Sequence, residues 1–188
     1  MTFPTVQELF DFAKSFQGRY RPTVTIEIKN GPNEAQYELQ CATTAAKLVK
    51  MIQASGIQDR IIVQSFDPTC VDRVKTLDRT VKTLYLAVAG AAANVAYCAA
   101  MGHDFSSPPY DTPDFTAQVV ASAHRLGVKV NPYTVDTEAA IRTVIADGVD
   151  GLITNYPACM MKVQGRSVPL RLLGLDAGAD IAIPICAP

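Results

Sequence analysis

The spacing of apolar side chains alternates between a helical and a strand period along most of the chain. Val6, Leu9, Phe10, Phe12, Ala13 and Phe16 form a helical stripe over residues 4–17, opened by Pro4 and Thr5 and stopped by Gly18. Residues 23–29 then alternate strictly, with Val24, Ile26 and Ile28 on one face and Thr25, Glu27 and Lys29 on the other. That period, carried by β-branched residues, predicts a β-strand. Asn30-Gly31-Pro32-Asn33 predicts a turn. A second helix is expected over 42–55 through Ala46, Leu48, Val49 and Ile52, ended by Gly56. Residues 61–66 read as a short buried strand, and Asp67-Pro68 caps and starts a helix packing through Val71, Val74 and Leu77.

The second half continues in the same way. A strand is expected at 84–88 and an Ala-rich helix at 90–100. Residues 102–113 read as a loop with at most a stub of strand. A helix at 114–126 runs through Phe115, Val119, Val120, Ala123 and Leu126 to Gly127. It precedes a strand at 128–135, a helix at 137–147 with Asp136 as N-cap and Gly148 as stop, and a strand at 151–154. Pro157 opens a last short helix. Strands joined by crossover helices are parallel and right-handed. This gives the α/β fold class and frames a question about Glu27 and Lys29. Their face is either a solvated edge or the lumen of a closing sheet, where barrels carry functional side chains at strand C-termini. The strand at 128–135 puts Asn131 and Tyr133 on one face at its C-terminal end. They read either as a substrate-facing amide and aromatic or as a core margin with a bonded hydroxyl.

Composition narrows the classes. At 188 residues with 48% apolar and 19% charged residues, the chain is an ordinary globular domain. Net charge is −1 without Lys/Arg runs, so no nucleic-acid surface is expected. Five widely spaced cysteines without a C-x-x-C pair argue against a zinc site or a disulfide framework, and toward a reducing compartment. The N-terminus mixes acidic residues with its apolar ones and has no basic region, so it does not read as a signal peptide, and no apolar run reaches the ~20 residues of a membrane span. The default expectation is cytoplasmic.

Five ordered segments together resemble the glycerophosphodiester phosphodiesterase family. They are Pro4-Thr5-Val6-Gln7-Glu8-Leu9, Ile26-Glu27-Ile28-Lys29, Ser65-Phe66-Asp67, the stretch from Gly127 to Asp136, and that from Gly148 to Pro157. The resemblance covers residues 4 to about 162 and implies a TIM-type parallel (β/α) barrel. It further implies metal-dependent hydrolysis of small phosphodiesters, glycerophosphodiesters, to glycerol phosphate and an alcohol, with Mg²⁺ or Ca²⁺ held by carboxylates at the barrel mouth. By the same resemblance Glu27 is a metal ligand, Lys29 faces the phosphate, and Tyr133 stands where the family has a substrate-packing Trp. Asn155 replaces an Asp after the last strand, a difference expected to be structural.

The departures shape the remaining expectations. The family's first two strands carry a His-Arg-Gly, further carboxylates and a second histidine, none of which this sequence contains. His103, beside Asp104 in the irregular loop, reads either as an acid/base or metal contact or as a structural residue, and His124 is expected on a helix as surface or satisfied core. No catalytic residue is therefore assigned. A (β/α)8 barrel takes about 250 residues, so residues 1–165 suit five or six units of an incomplete, open barrel, about six of eight strands. This implies a truncated, split or fragmentary form. Its open sheet edges offer self-association, and residues 166–188 form a C-terminal tail of unassigned structure. The alternative to hydrolysis is a non-catalytic barrel that binds phosphate ligands weakly or complements another chain. A phosphate-binding isomerase ranks lowest, because no Gly-rich phosphate loop follows the last strands.

Overall fold

The computed structural model of the protein describes residues 3–16, 18, 21–29, 37–166 and 186–187. The turn expected at 30–33 and the tail at 167–185 lie outside these residues. Five parallel strands form one sheet in sequential order: β1 (Val24–Glu27), β2 (Ile61–Ser65), β3 (Lys82–Leu86), β4 (Phe105–Ser107) and β5 (Lys129–Val130). A sequential order without reversal is informative. Every right-handed crossover then lays its helix on the same face, so the other face must curl inward, as in a barrel and unlike a doubly wound sheet. The described residues form an open arc of such a barrel.

The two faces separate by parity. Val24, Ile28, Ile61 and Val63 lie buried with Phe10 of α1 (Val6–Ser15), Ile52 of α2 (Tyr37–Ser55) and Val74 of α3 (Pro68–Leu77). Val130 packs with Val95 and Cys98 of α4 (Ala91–Met101) and Val120 of α5 (Ala117–Arg125). Val135 packs with Ile141 of α6 (Glu138–Ala146) and Cys159 of α7 (Pro157–Val163). The opposite parity builds a separate cluster of Ile62, Leu84 and Leu86, with Phe105, Tyr133 and Ile153 against it. That cluster is the inner face.

Several local expectations need correction. α2 begins five residues before the expected start, because its first turn, Tyr37–Cys41, lacks the apolar period that marks the rest. β3 starts at Lys82, two residues early, since its polar Thr83 is fully buried against a helix-side partner. Val88, read as strand, is 80% exposed. Leu77 and Leu126, read as packing, are also exposed. The 102–113 stretch, by contrast, holds the stub of strand expected for it, the three-residue β4. Residues 151–154 form no assigned strand, yet Ile153 N donates to Pro132 O (2.9 Å) and Val135 N to Ile153 O (2.9 Å), which continues the sheet beyond β5. Thr137, not Asp136, caps α6 by accepting from Ala140 N.

The cysteines also depart from expectation. Cys41 is bonded to Cys70 and Cys159 to Cys186, with Cα separations of 4.9 and 4.8 Å, and Cys98 is free and buried. Sequence spacings of 29 and 27 residues give no local signal for such pairs, which only the packing of distant segments creates.

Candidate functional site

Strand register places the polar inner-face residues side by side. Glu27 pairs with Gln64 in the β1–β2 ladder, so both side chains share the inner face. Gln64 Nε2 donates to Glu27 Oε2 at 3.2 Å, and Lys29 Nζ lies 3.8 Å from Glu27 Oε1. The Glu27 side chain is 23% exposed and that of Lys29 77%, so the carboxylate sits in the wall while the ammonium reaches into solvent. Ser65 Oγ donates to Ile28 O (2.7 Å) and Gln64 O accepts from Ile28 N (2.8 Å), which fixes the end of β1 against β2.

Glu27, Ile28, Lys29 and Ser65, with Phe66, Asp67 and Pro68, line a cleft of ≈ 610 Å³, and Gln64 stands in the strand wall behind Glu27. The cleft lies at the C-terminal ends of β1 and β2, the side where β/α barrels keep their chemistry. Asp67 caps α3 by accepting from Thr69 N (2.8 Å), and Pro68 occupies its first turn, so the sequence itself closes the strand and turns the cleft wall.

An aromatic pair continues the wall. Phe66, 45% exposed, meets Tyr133 edge to face with ring centroids 5.5 Å apart. Tyr133 is held by its backbone, whose N donates to Pro108 O (3.1 Å), and its hydroxyl donates to Ala87 O. Burial, helped by the charge of Asp111, raises the Tyr133 pKa, so its hydroxyl stays protonated as that donor. Tyr133 thus presents a ring and keeps its polar end occupied.

Two buried oxygens on the inner face have no protein partner among the described residues, Gln64 Oε1 and Asn131 Oδ1. Orphaned buried acceptors carry a desolvation penalty and point to a ligand, ion or water. Gly151 makes room for Asn131, because a Cβ there would lie 3.0 Å from Asn131 Oδ1. Gln64 carried no role in the sequence reading. Its signal was parity, since Ile62, Gln64 and Phe66 repeat the alternation that exposes Glu27 one strand away.

The donor set can be tested against a divalent cation. Glu27 and Gln64 Oε1 offer hard oxygen donors, the chemistry that Mg²⁺ and Ca²⁺ prefer. Mg²⁺ keeps several waters and needs one or two carboxylates plus substrate phosphate, whereas Ca²⁺ takes six to eight oxygens. The residues fit the first pattern better.

The other candidates lie elsewhere. His103 is buried on the helix side, its Nε2 2.9 Å from Asp72 Oδ1 and its Nδ1 2.9 Å from Thr83 Oγ1. His124 sits half-exposed on α5 with Nε2 2.9 Å from Asp150 Oδ2. Neither lines the cleft. Asn155 holds Asp136 through its backbone N and its side-chain amide, both at 2.8 Å, and Thr154 Oγ1 adds a third bond at 3.0 Å. Burial opposes the charge of Asp136, but these bonds outweigh it and keep its carboxyl below the usual range. Asn155 therefore organises the turn after the sheet.

Residues 1–159 match the model of the Glycerophosphoryl diester phosphodiesterase family. A glycerophosphodiester phosphodiesterase of Caldanaerobacter subterraneus subsp. tengcongensis is 27% identical over 162 residues, covering 85% of this chain and 61% of the relative. A glycerophosphoryl diester phosphodiesterase structure from Silicibacter pomeroyi DSS-3 superimposes with a TM-score of 0.75 at 25% identity, over 88% of this chain and 58% of that one. An Oleispira antarctica phosphodiesterase, solved with its product sn-glycerol-3-phosphate, shares the fold at a TM-score of 0.64 and 19% identity, over 76% of this chain and 55% of that one. This chain thus spans about three-fifths of the length of these relatives. With the motif order, sheet topology and family match agreeing, the chain belongs to the glycerophosphoryl diester phosphodiesterase family.

Proposed function

We propose that the cleft binds a glycerophosphodiester through Lys29 and a Mg²⁺ held by Glu27 and Gln64, and supports its hydrolysis to glycerol phosphate and an alcohol. The observation that carries the reading is the Glu27–Gln64–Lys29 arrangement: a carboxylate and an orphaned amide oxygen beside an exposed ammonium. The Oleispira relative's bound sn-glycerol-3-phosphate supports a glycerol-phosphate ligand. Glu27 and Gln64 would hold the Mg²⁺, which when bound would supply charge neutralisation on the phosphate and a more acidic water. Lys29 pairs with a non-bridging phosphate oxygen, with Glu27 beside it at 3.8 Å. Phe66 and Tyr133 wall off water and offer ring surface to the non-phosphate part of the substrate.

A second reading, binding without turnover, is favoured by one observation: neither His103 nor His124 lines the cleft. General acid–base help to the leaving oxygen then has no imidazole source among the described residues. We further propose that the open edge of β1 pairs with a second copy of the chain.

Release of glycerol phosphate from glycerophosphocholine, measured with and without Mg²⁺, separates the two readings. Mg²⁺-dependent release that drops at least ~100-fold in Glu27→Ala supports hydrolysis, because losing even an indirect metal contact costs ~10–100-fold. Absent release, with sn-glycerol-3-phosphate binding that weakens in Lys29→Ala, supports binding alone. Release indifferent to Glu27 rejects the site.

A further inference from the structure

A second set of ligating atoms converges at the start of α3. Cys41 of α2 and Cys70 of α3 lie in the core, 2% and 0% exposed, and are joined as a disulfide. Asp67 stands over them, with Oδ2 3.7 Å from Cys41 Sγ while Oδ1 accepts from Thr69. The two sulfurs and an Asp67 oxygen all lie within 4.8 Å of one another. Asp67 lines the ≈ 610 Å³ cleft, whereas neither cysteine does.

We propose that reduction of the Cys41–Cys70 bond converts this cluster into a binding site for a borderline-soft divalent cation, Zn²⁺ by preference. Two thiolates and a carboxylate supply three ligands, and the fourth tetrahedral position opens toward the cleft beside Asp67 for water or a ligand oxygen. Sulfur donors separate this site from the Glu27–Gln64 pair, whose oxygens suit a hard cation.

Three features support it. A tetrahedral zinc with Zn–S bonds of ~2.3 Å holds its two sulfurs ~3.8 Å apart, within the 4.8 Å that already bounds the three ligand atoms. Cys70 is the third residue of α3, where the helix N-terminus favours negative charge on its sulfur. The thiolates sit in an apolar cluster with Ile52, Val63 and Val74, where anions are strongly disfavoured unless a cation compensates them. The disulfide and the metal site are therefore exclusive states. A disulfide oxidant takes two electrons from the two thiolates, forms the Sγ–Sγ bond, releases the cation, and leaves as two thiols after taking up two protons.

The test is a Co²⁺ titration of the full chain after reduction with a phosphine, followed by Zn²⁺ competition. Thiolate-to-cobalt absorption saturating at one ion per chain, displaced by Zn²⁺ and abolished by oxidised glutathione, is expected. Cys41→Ser should weaken binding by at least ~100-fold, beyond the ~10–100-fold loss of an indirect contact. Cys159→Ala, which removes the other pair, should leave it unchanged. Asp67→Asn keeps both sulfurs and a competent helix cap, so it serves if a cysteine variant misfolds, and it should weaken binding about 10-fold or more. No saturable absorption in the reduced protein, or absorption indifferent to Cys41 and Asp67, overturns the site. Because the readout is spectroscopic, it stands or falls apart from phosphodiester hydrolysis.

Discussion

His103 shows how a chemically suggestive residue is absorbed by the fold. Its ring is fully buried, with Asp72 on Nε2 and Thr83 on Nδ1. The neutral imidazole satisfies both, donating to the carboxylate and accepting from the hydroxyl. Burial lowers its pKa below the ordinary value near 6.5, and the hydrogen bond that His103 donates to Asp72 only partly offsets this. The unfolded chain therefore binds a proton below pH ~6.5 while the folded chain still resists it, so stability falls as pH drops through that value. Urea midpoints between pH 7.5 and 5.5 should decline in the parent chain and less steeply in His103→Gln. Equal slopes in the two chains would reject the assignment. The sequence placed His103 beside Asp104 but could not reveal Asp72, 31 residues away, as its partner. Glu27 and Lys29 were legible because strand parity alone puts them on one face. Asn131 was placed by the same parity, whereas Gln64 was not, and the orphaned oxygens of both are a property of packing with no signature in residue type.

At the level of elements, the local signals carried most helices and missed what lies between them. Thr5 and Glu8 form a capping box at α1, and Asp67 caps α3, both readable from residue order. Arg60 was silent in sequence, yet it ties two elements to the strand that carries the site. It is 6% exposed, with NH2 donating to Ala13 O (2.6 Å) at the end of α1 and Nε to Pro22 O (3.1 Å) just before β1. Arg60→Ala removes both charge-assisted bonds and leaves a carbonyl buried. The expected loss is about 2–4 kcal/mol, read as a lowered urea midpoint with unchanged m-value. A loss below ~0.5 kcal/mol would mean that water replaces the clamp. β5 and the 151–154 segment were misjudged in length for a related reason. Their alternation is real, but ladder bonds there give way to single contacts such as Tyr110 N to Tyr133 O (3.1 Å).

For the whole molecule, strand order was the most legible property and edge behaviour the most consequential. Repeated helix–strand units forced parallel pairing, and sequential order forced one inner face. The cysteine pairs were illegible, because they depend on α2 meeting α3 and on residue 186 returning to α7. The arc leaves β1 with β2 as its sole strand neighbour among the described residues. Ile28 uses both its N–H and its carbonyl toward β2. In a parallel strand alternate residues point their backbone groups to opposite sides, so those of Thr25 and Glu27 face the open edge. Such an edge is a template for another strand, and Thr25, whose side chain is exposed, is the place to test it. Thr25→Pro removes one outward N–H without touching the β2 ladder, since proline is tolerated on an edge strand when its missing donor faces outward. Sedimentation velocity from 5 to about 200 µM should show concentration-dependent association of the parent chain, and Thr25→Pro should shift it toward monomer. A melting temperature kept within about 4 °C would show that the fold survived the change. A parent chain that stays monomeric, or a Thr25→Pro chain that associates as strongly, would exclude β1 as the contact and would mean that its edge is covered from within the chain.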